Sequence, residues 1–202
     1  HRPGVVSNLV KIFGRDSGFT ALHTAYVTSG RCLIPEAPFD LDHLITMLVE
    51  DKRANPSRYT FVIVAEGATW RGQTLGEIGA ADAFGHRRKA DVGQALAEEI
   101  RSRTDEDPLV SELTYDLRSG QPDAFDQMVA ITFANIAFDL IADGAGGRMV
   151  ALRDGRYAHT SLPDPSLAAR RVDIQRDYNA DRFRPRYEGR LGRSVWMQQA
   201  FE

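Results

Sequence analysis

The stretch Tyr59-Thr60-Phe61-Val62-Ile63-Val64-Ala65-Glu66-Gly67 decides the fold. Its near-continuous apolar run from Tyr59 to Ala65 is what a central parallel strand, buried on both faces, requires. The turn Asn55-Pro56-Ser57 leads into it, and the polar pair Glu66-Gly67 ends it. Working back toward the N-terminus, Asp40 stands as the N-cap of an amphipathic helix carrying Leu41, Leu44, Ile45, Leu48 and Val49. Before it, Arg31-Cys32-Leu33-Ile34-Pro35 reads as a short strand ended by a proline. Gly18 to Thr28 predicts a helix with Phe19, Leu22, Ala25 and Tyr26 on one face, and Val5 to Phe13 predicts a strand that stops at Gly14-Arg15.

Downstream, Gly67 to Ala90 is loop-like, and a helix is expected from about Asp91 to Arg103. Leu109 to Tyr115 is a further strand. Pro122 starts the longest helix, expected to turn Met128, Ile131, Ile136 and Leu140 inward, with Gly144 beyond its end. Arg148 to Leu152 and Tyr157 to Leu162 form a hairpin around Asp154-Gly155, read as an antiparallel edge on a mostly parallel sheet. Short strands alternating with longer helices predict an α/β fold: a three-layer sandwich on a mostly parallel, Rossmann-like sheet. Residues 1–162 form its body. Residues 163–202, rich in arginine and poorly periodic, are expected to be an extended surface arm.

The 202 residues are 43% hydrophobic and 26% charged, an ordinary globular composition. A formal net charge of -3 supplies no electrostatic reason for a nucleic acid or an anionic membrane as partner. No apolar run approaches the roughly 20 residues needed to cross a bilayer. Cys32 is the single cysteine, which excludes an internal disulfide and a multi-cysteine zinc site and fits a reducing, cytoplasmic setting. The opening His1-Arg2-Pro3-Gly4 is neither a signal peptide nor a start methionine, so a longer parent protein is expected.

In an open α/β sheet, ligands bind at the carboxyl ends of the strands. Three such ends carry unusual polar groups: Gly14-Arg15-Asp16, Glu66-Gly67, and the loop Thr114-Tyr115-Asp116-Leu117-Arg118-Ser119-Gly120. Glycine allows close backbone approach, arginine forks onto a phosphate, and a carboxylate accepts hydrogen bonds from hydroxyls. Gly14, Arg15, Glu66, Tyr115 and Arg118 are therefore a candidate sugar-phosphate set. Taken singly, each has an ordinary structural role: Arg15 as a helix-entry residue pairing with Asp16, Glu66 as a loop carboxylate, Tyr115 as packing, Arg118 as a surface arginine. Their shared place at one sheet edge argues for a site. Gly144-Ala145-Gly146-Gly147 follows a helix, so it reads as a C-cap rather than a phosphate loop. His23 and His43 lack partners at ligand spacing, and Asp82 to Lys89 reads as a connector with a charge run. No nucleophile triad order, zinc spacing or Walker loop is present.

Together these stretches resemble the C-terminal half of a phosphofructokinase. Ile12-Phe13-Gly14-Arg15 is similar to that family's hydrophobic-Gly-Arg motif, and Ile34-Pro35-Glu36 to its proline-glutamate strand end. Val64-Ala65-Glu66-Gly67 resembles the strand delivering its sugar-binding glutamate. Thr114 to Gly120 resembles the loop that bears a His or Tyr three residues before an Arg. Pro122 to Asp126, then Gly144 to Leu152, match the following helix, glycine turn and strand, so the resemblance spans residues 5–162.

It implies that Gly14 and Arg15 line a fructose 6-phosphate pocket, that Glu66 binds sugar hydroxyls, and that Tyr115 and Arg118 bind the 6-phosphate. Tyr115 stands where ATP-dependent bacterial members usually carry histidine, and tyrosine there is familiar among pyrophosphate-dependent relatives. A further phosphate-binding arginine of the family falls near Leu109, where none stands; Arg101, Arg103 or the loop at 86–89 are the expected substitutes. The family's Gly-rich donor loop and its catalytic, metal-binding aspartate segment have no counterpart here. The resemblance thus implies phosphoryl transfer to the 1-hydroxyl of fructose 6-phosphate, with pyrophosphate slightly preferred over ATP. The catalytic Asp and the Mg2+ ligands are expected outside this chain, none of whose residues is assigned a catalytic role. A homo-oligomer is expected. The alternative is a non-catalytic sugar-phosphate-binding or regulatory fragment that needs a partner chain.

Overall fold

A computed structural model of the chain describes residues 7–72, 77–78, 88–89, 91–104, 106–166, 170–188 and 193–194. Its contacts divide the chain into two units, His1–Tyr115 with Ala169–Glu202, and Asp116–Ala168.

The first unit is built on β1 (Ser7–Ile12), α1 (Phe19–Thr28), β2 (Arg31–Leu33), α2 (Leu41–Ala54) and β3 (Thr60–Ala65). It continues through the two-residue strands β4 (Glu77–Ile78) and β5 (Arg88–Lys89), which pair antiparallel, to α3 (Val92–Arg103) and β6 (Leu109–Leu113). β2, β3, β1 and β6 lie side by side in that order, and every pairing is parallel. In β3, Val62 and Val64 face one layer while Ile63 and Ala65 face the other, all four with no exposed surface. The uninterrupted apolar run is thereby explained. Each such fully buried aliphatic side chain contributes about 2 kcal/mol.

Helices α2 and α3 cover one face through Leu44, Leu48, Leu96 and Ile100. α1, through Ala21, Leu22 and Ala25, is the one long helix on the other among the described residues. Asp40 caps α2 by accepting from the His43 backbone N–H at 2.8 Å, and Asp91 caps α3 by accepting from Gly93 and Gln94. The three-layer expectation is met.

One helix cannot cover a face of four strands, and the C-terminal segment makes up the difference. Val172 and Tyr178 are buried in the α1 layer, and the Tyr178 hydroxyl donates to the Cys32 carbonyl at 2.7 Å. Phe183 is buried near Phe39 and His43, and its carbonyl accepts from the Cys32 N–H at the outer edge of β2. Arg31, buried and bidentate on Asp51, donates its remaining nitrogen to the Arg182 carbonyl at 2.5 Å, while His43 Nε2 donates to the Asp181 carbonyl. The expectation of an extended surface arm is therefore corrected for residues 170–188. Arginines dominate the composition there, but widely spaced apolar residues do the docking, and such spacing carries no periodic signal. The Arg190 end of the expected arm lies outside the described residues, as do Val5, Val6 and the connector at 82–87.

The second unit comprises a 3-10 turn (Asp116–Arg118), α4 (Ala124–Ala142), β7 (Arg148–Arg153) and β8 (Arg156–Ser161). Asp123 and Asp126 form a reciprocal capping box, and the chain leaves α4 through the C-cap Asp143 and then Gly144, whose φ is +72°, with Gly147 (φ +67°) in the turn that follows. Three expectations are corrected here. The β7–β8 hairpin forms a sheet of its own, and the four-stranded sheet is wholly parallel. No residue of α4 is buried: Met128 is 64% exposed and Ile131 63%, while Ile136 and Leu140 are half-buried. And α4, with 19 residues, is long and apolar enough to cross a membrane by length and composition. Its isolated polar residues hid that in a search for uninterrupted apolar runs.

Candidate functional site

The order of the strands creates the site. From β1 the chain leaves through α1 on one face, and from β3 it leaves through α3 on the other. Neighbouring strands whose connections part to opposite faces open a crevice at their carboxyl ends, where α/β sheets bind ligands. Gly14-Arg15 follows β1 and Glu66-Gly67 follows β3, so both motifs flank this crevice.

The parallel pairing runs on into the loops. Glu66 N–H donates to the Ile12 carbonyl at 3.0 Å and Gly67 N–H to the Gly14 carbonyl at 3.1 Å. Such close approach excludes side chains: a Cβ on Gly67 would lie 1.9 Å from the Arg15 carbonyl oxygen. Gly14 has φ +146°, and a Cβ there would meet the Ser17 carbonyl at 2.9 Å. The glycines let two backbones touch, and so bring Arg15 and Glu66 together.

Arg15 Nε lies 3.7 Å from Glu66 Oε1, with the arginine side chain 62% exposed and the glutamate 33%. That separation is an ion pair without a hydrogen bond. Exposed pairs of this kind are worth at most about 1 kcal/mol. A bound oxyanion can therefore take the guanidinium, and hydroxyls the carboxylate, at little cost to the fold.

Tyr115 lies just past β6, on the same carboxyl edge, and is 84% exposed. Arg118 closes the 3-10 turn of the second unit and is exposed. Of the five sequence-derived residues, the structure brings Gly14, Arg15 and Glu66 together, puts Tyr115 on the same sheet edge, and assigns Arg118 to the other unit. Arg101 and Arg103, the expected substitutes for the missing arginine, are not brought to this crevice. They occupy the last turn of α3, next to Thr104, which shares a small cavity with Ser7 at the amino edge of the sheet. Arg101 is paired with Asp107, and Arg103 with Glu99 and Asp42. Of the loop at 86–89, only Arg88 and Lys89 are described, in the short β4–β5 pair.

Two supports of the site went unnoticed in the sequence. Lys11, one residue before the end of β1, reaches Asp91 at 2.6 Å and Glu112 at 2.9 Å. Burial opposes its charge, yet hydrogen bonds to both carboxylates outweigh that and raise its pKa; Asp91, burial notwithstanding, is held below its ordinary value by the Lys11 hydrogen bond and by the backbone N–H groups of α3. The lone lysine within Leu9-Val10-Lys11-Ile12 was the available signal, because a charge on a buried strand needs a partner. Glu36, past the end of β2, accepts from the Gly18 N–H at 3.0 Å and the Val172 N–H at 2.9 Å, joining the start of α1 to the C-terminal segment. Cys32 is buried, and burial pushes its thiol pKa far up, which removes it as a nucleophile. Among the described residues no cluster of three His, Cys, Asp or Glu side chains is placed to hold a metal ion.

Residues 6–141 match the family described as Phosphofructokinase. The chain is 32% identical over 177 residues to a pyrophosphate–fructose 6-phosphate 1-phosphotransferase of Amycolatopsis methanolica, covering 87% of this chain and 51% of that protein. It is 34% identical over 158 residues to an ATP-dependent 6-phosphofructokinase of Mycobacterium tuberculosis, covering 77% and 46%. Among solved structures, a pyrophosphate-dependent phosphofructokinase from Marinobacter aquaeolei superposes with a TM-score of 0.67 at 16% identity, over 91% of this chain and 45% of that one. The chain spans about half the length of the curated relatives it matches.

Proposed function

The chain belongs to the phosphofructokinase family, and from that premise we propose that it supplies the fructose 6-phosphate site of a 6-phosphofructokinase. The observation that carries this reading is the meeting of Arg15 and Glu66 across the crevice between β1 and β3. Arg15 offers a fork of donors to phosphate oxygens, and Glu66 accepts hydrogen bonds from sugar hydroxyls. Tyr115 extends the pocket along the same edge, and the motif that Arg118 belongs to assigns that arginine to the 6-phosphate. The reaction is phosphoryl transfer to the 1-hydroxyl, giving fructose 1,6-bisphosphate. Positioning of the acceptor is this chain's share of the catalysis.

The donor site, the catalytic aspartate and the magnesium ligands belong to the remaining length of the family's proteins. Pyrophosphate is slightly preferred as donor over ATP: Tyr115 supports it, and so does the name of the Amycolatopsis methanolica relative. A glycolytic role, a cytoplasmic location and a homo-oligomer complete the proposal.

Isothermal titration with fructose 6-phosphate tests the acceptor site. Glu66→Gln and Arg15→Ala are each expected to weaken binding by about 10-fold, the loss of one charged hydrogen-bonding group, with unchanged melting. Equal affinity in both variants would remove the crevice from the site.

A further inference from the structure

The ion cluster at Lys11 stands where stability alone gives it no reason to be. Leu9, Val10 and Ile12 around it are buried apolar residues, and Lys11 itself is only 9% exposed. Its register partners are Val64 on β3 and Glu112 on β6, so on the β3 side an aliphatic residue suffices at the same level of the sheet. An aliphatic residue at position 11 would avoid the cost of desolvating an ammonium. Replacing a buried ion pair by apolar side chains is often neutral or stabilising. What the lysine adds is geometry.

That geometry is a clamp on β6. The strand has β1 as its single strand neighbour among the described residues, and Leu109 and Leu113 at its ends are 56% and 38% exposed. The Lys11 ammonium takes Glu112 Oε1 at 2.9 Å on β6 and Asp91 Oδ2 at 2.6 Å at the start of α3. Gly93 keeps the approach close: a Cβ there would lie 3.2 Å from Val110 Cγ1 and 3.5 Å from Lys11 Cβ, so the first turn of α3 sits directly over the β1–β6 pair. A strand paired along one side can slip, and a slip of one residue turns every side chain to the opposite face. A slip of two keeps the faces but carries the strand end about 7 Å along its axis. Either would part Glu112 from Lys11 and leave a buried ammonium short of a partner. The pair is therefore a register lock, and Glu112 stands three residues before Tyr115.

We propose that Lys11 is a positioning residue of the acceptor site, acting through Glu112 to fix Tyr115 at the carboxyl edge of the sheet relative to Arg15. This rests on the reading that Tyr115 contacts the sugar phosphate. Lys11, enclosed and engaged by two carboxylates, acts through them rather than on the ligand.

Isothermal titration of the 202-residue chain with fructose 6-phosphate, alongside hydrogen–deuterium exchange, tests the role. Lys11→Met is expected to weaken binding about fivefold and to speed exchange of the β6 amides at least about fivefold, with α2 and β3 unchanged. Lys11→Arg, which keeps a charge between the carboxylates, should bind within about twofold of wild type. Glu112→Ala alters an exposed side chain and should reproduce the Lys11→Met loss without endangering the fold. The decisive comparison is a double-mutant cycle. In a Tyr115→Phe background the effect of Lys11→Met should shrink to about twofold or less, because both act through one contact. A loss undiminished in that background overturns the proposal, since Lys11 then serves the fold in general. So does a Lys11→Met or Glu112→Ala chain that binds as tightly as wild type, or β6 exchange that stays the same. A wild type that binds no fructose 6-phosphate is a different failure: it overturns the acceptor site and, with it, the positioning role.

Discussion

The sheet unit and the unit Asp116–Ala168 hold similar proportions of apolar residues and put them to opposite effect. In the first, β3 and its neighbours are enclosed by helices on both faces, and Leu9, Leu22, Ile63 and Leu96 have no exposed surface. In the second, the longest helix among the described residues has no buried residue. Apolar composition therefore does not make a core. A core forms where the periodicity of each element presents one face to another element at packing distance. α2 and α3 meet that condition against the sheet, whereas within its own unit α4, apolar on nearly every side, packs against the β7–β8 hairpin.

The sharpest test of this contrast pairs two truncations. Leu96→Ala is expected to cost about 3 kcal/mol, as a cavity opens between α3 and the sheet. Ile131→Ala in α4 should stay within about 0.5 kcal/mol in the isolated chain. Urea melts followed by circular dichroism measure both, and equal losses would mean that α4 is buried in solution.

Next comes Asp91→Ala, with an expected loss of about 2 kcal/mol, because it uncaps α3 and leaves buried Lys11 with Glu112 alone. The effect should depend on pH in a defined direction. Asp91 has a lowered pKa when folded, so its contribution is present above the ordinary aspartate value, about 3.9, and is lost as pH falls through the depressed one. Lys11 has a raised pKa, so its contribution is complete below about 10.4 and is lost as pH rises through the higher value. Stability of the wild type and of Asp91→Ala should converge on acidification below about pH 4. Parallel curves would show that the pair is not formed.

The smallest expected effect concerns the returning C-terminal segment. Tyr178→Phe removes one buried hydrogen bond to the Cys32 carbonyl and should cost about 1 kcal/mol. No change on that substitution would mean that the segment does not pack on the α1 layer. The experiment thereby probes the one part of the sheet unit that the chain pattern least announces.

Much of the sheet unit was legible because its signals are local. Proline and glycine ended the strands, Asp40 capped α2, and the apolar spacing of α2 marked its inner face. Gly14, Arg15 and Glu66 were legible for a related reason. Motifs at the ends of two parallel strands converge whenever those strands are neighbours, and β1 and β3 are. The Lys11 cluster was less so, since Asp91 and Glu112 stand far along the chain. Inward-facing residues on α4 were misjudged because an all-round apolar helix has no preferred face to read.

Residue order alone settled the α/β class, the parallel character of β3 and the polar groups at the strand ends, because propensity, capping and strand patterning act over a few residues. Only the folded chain decided that Arg15 meets Glu66, that Lys11 joins β1 to the start of α3, and that residues 170–188 close the thinner layer of the sandwich. Those pairings unite segments as much as 151 residues apart, Arg31 with Arg182 among them. Which distant segments meet depends on which surfaces remain uncovered after the helices have packed, and that is a property of the assembled layers.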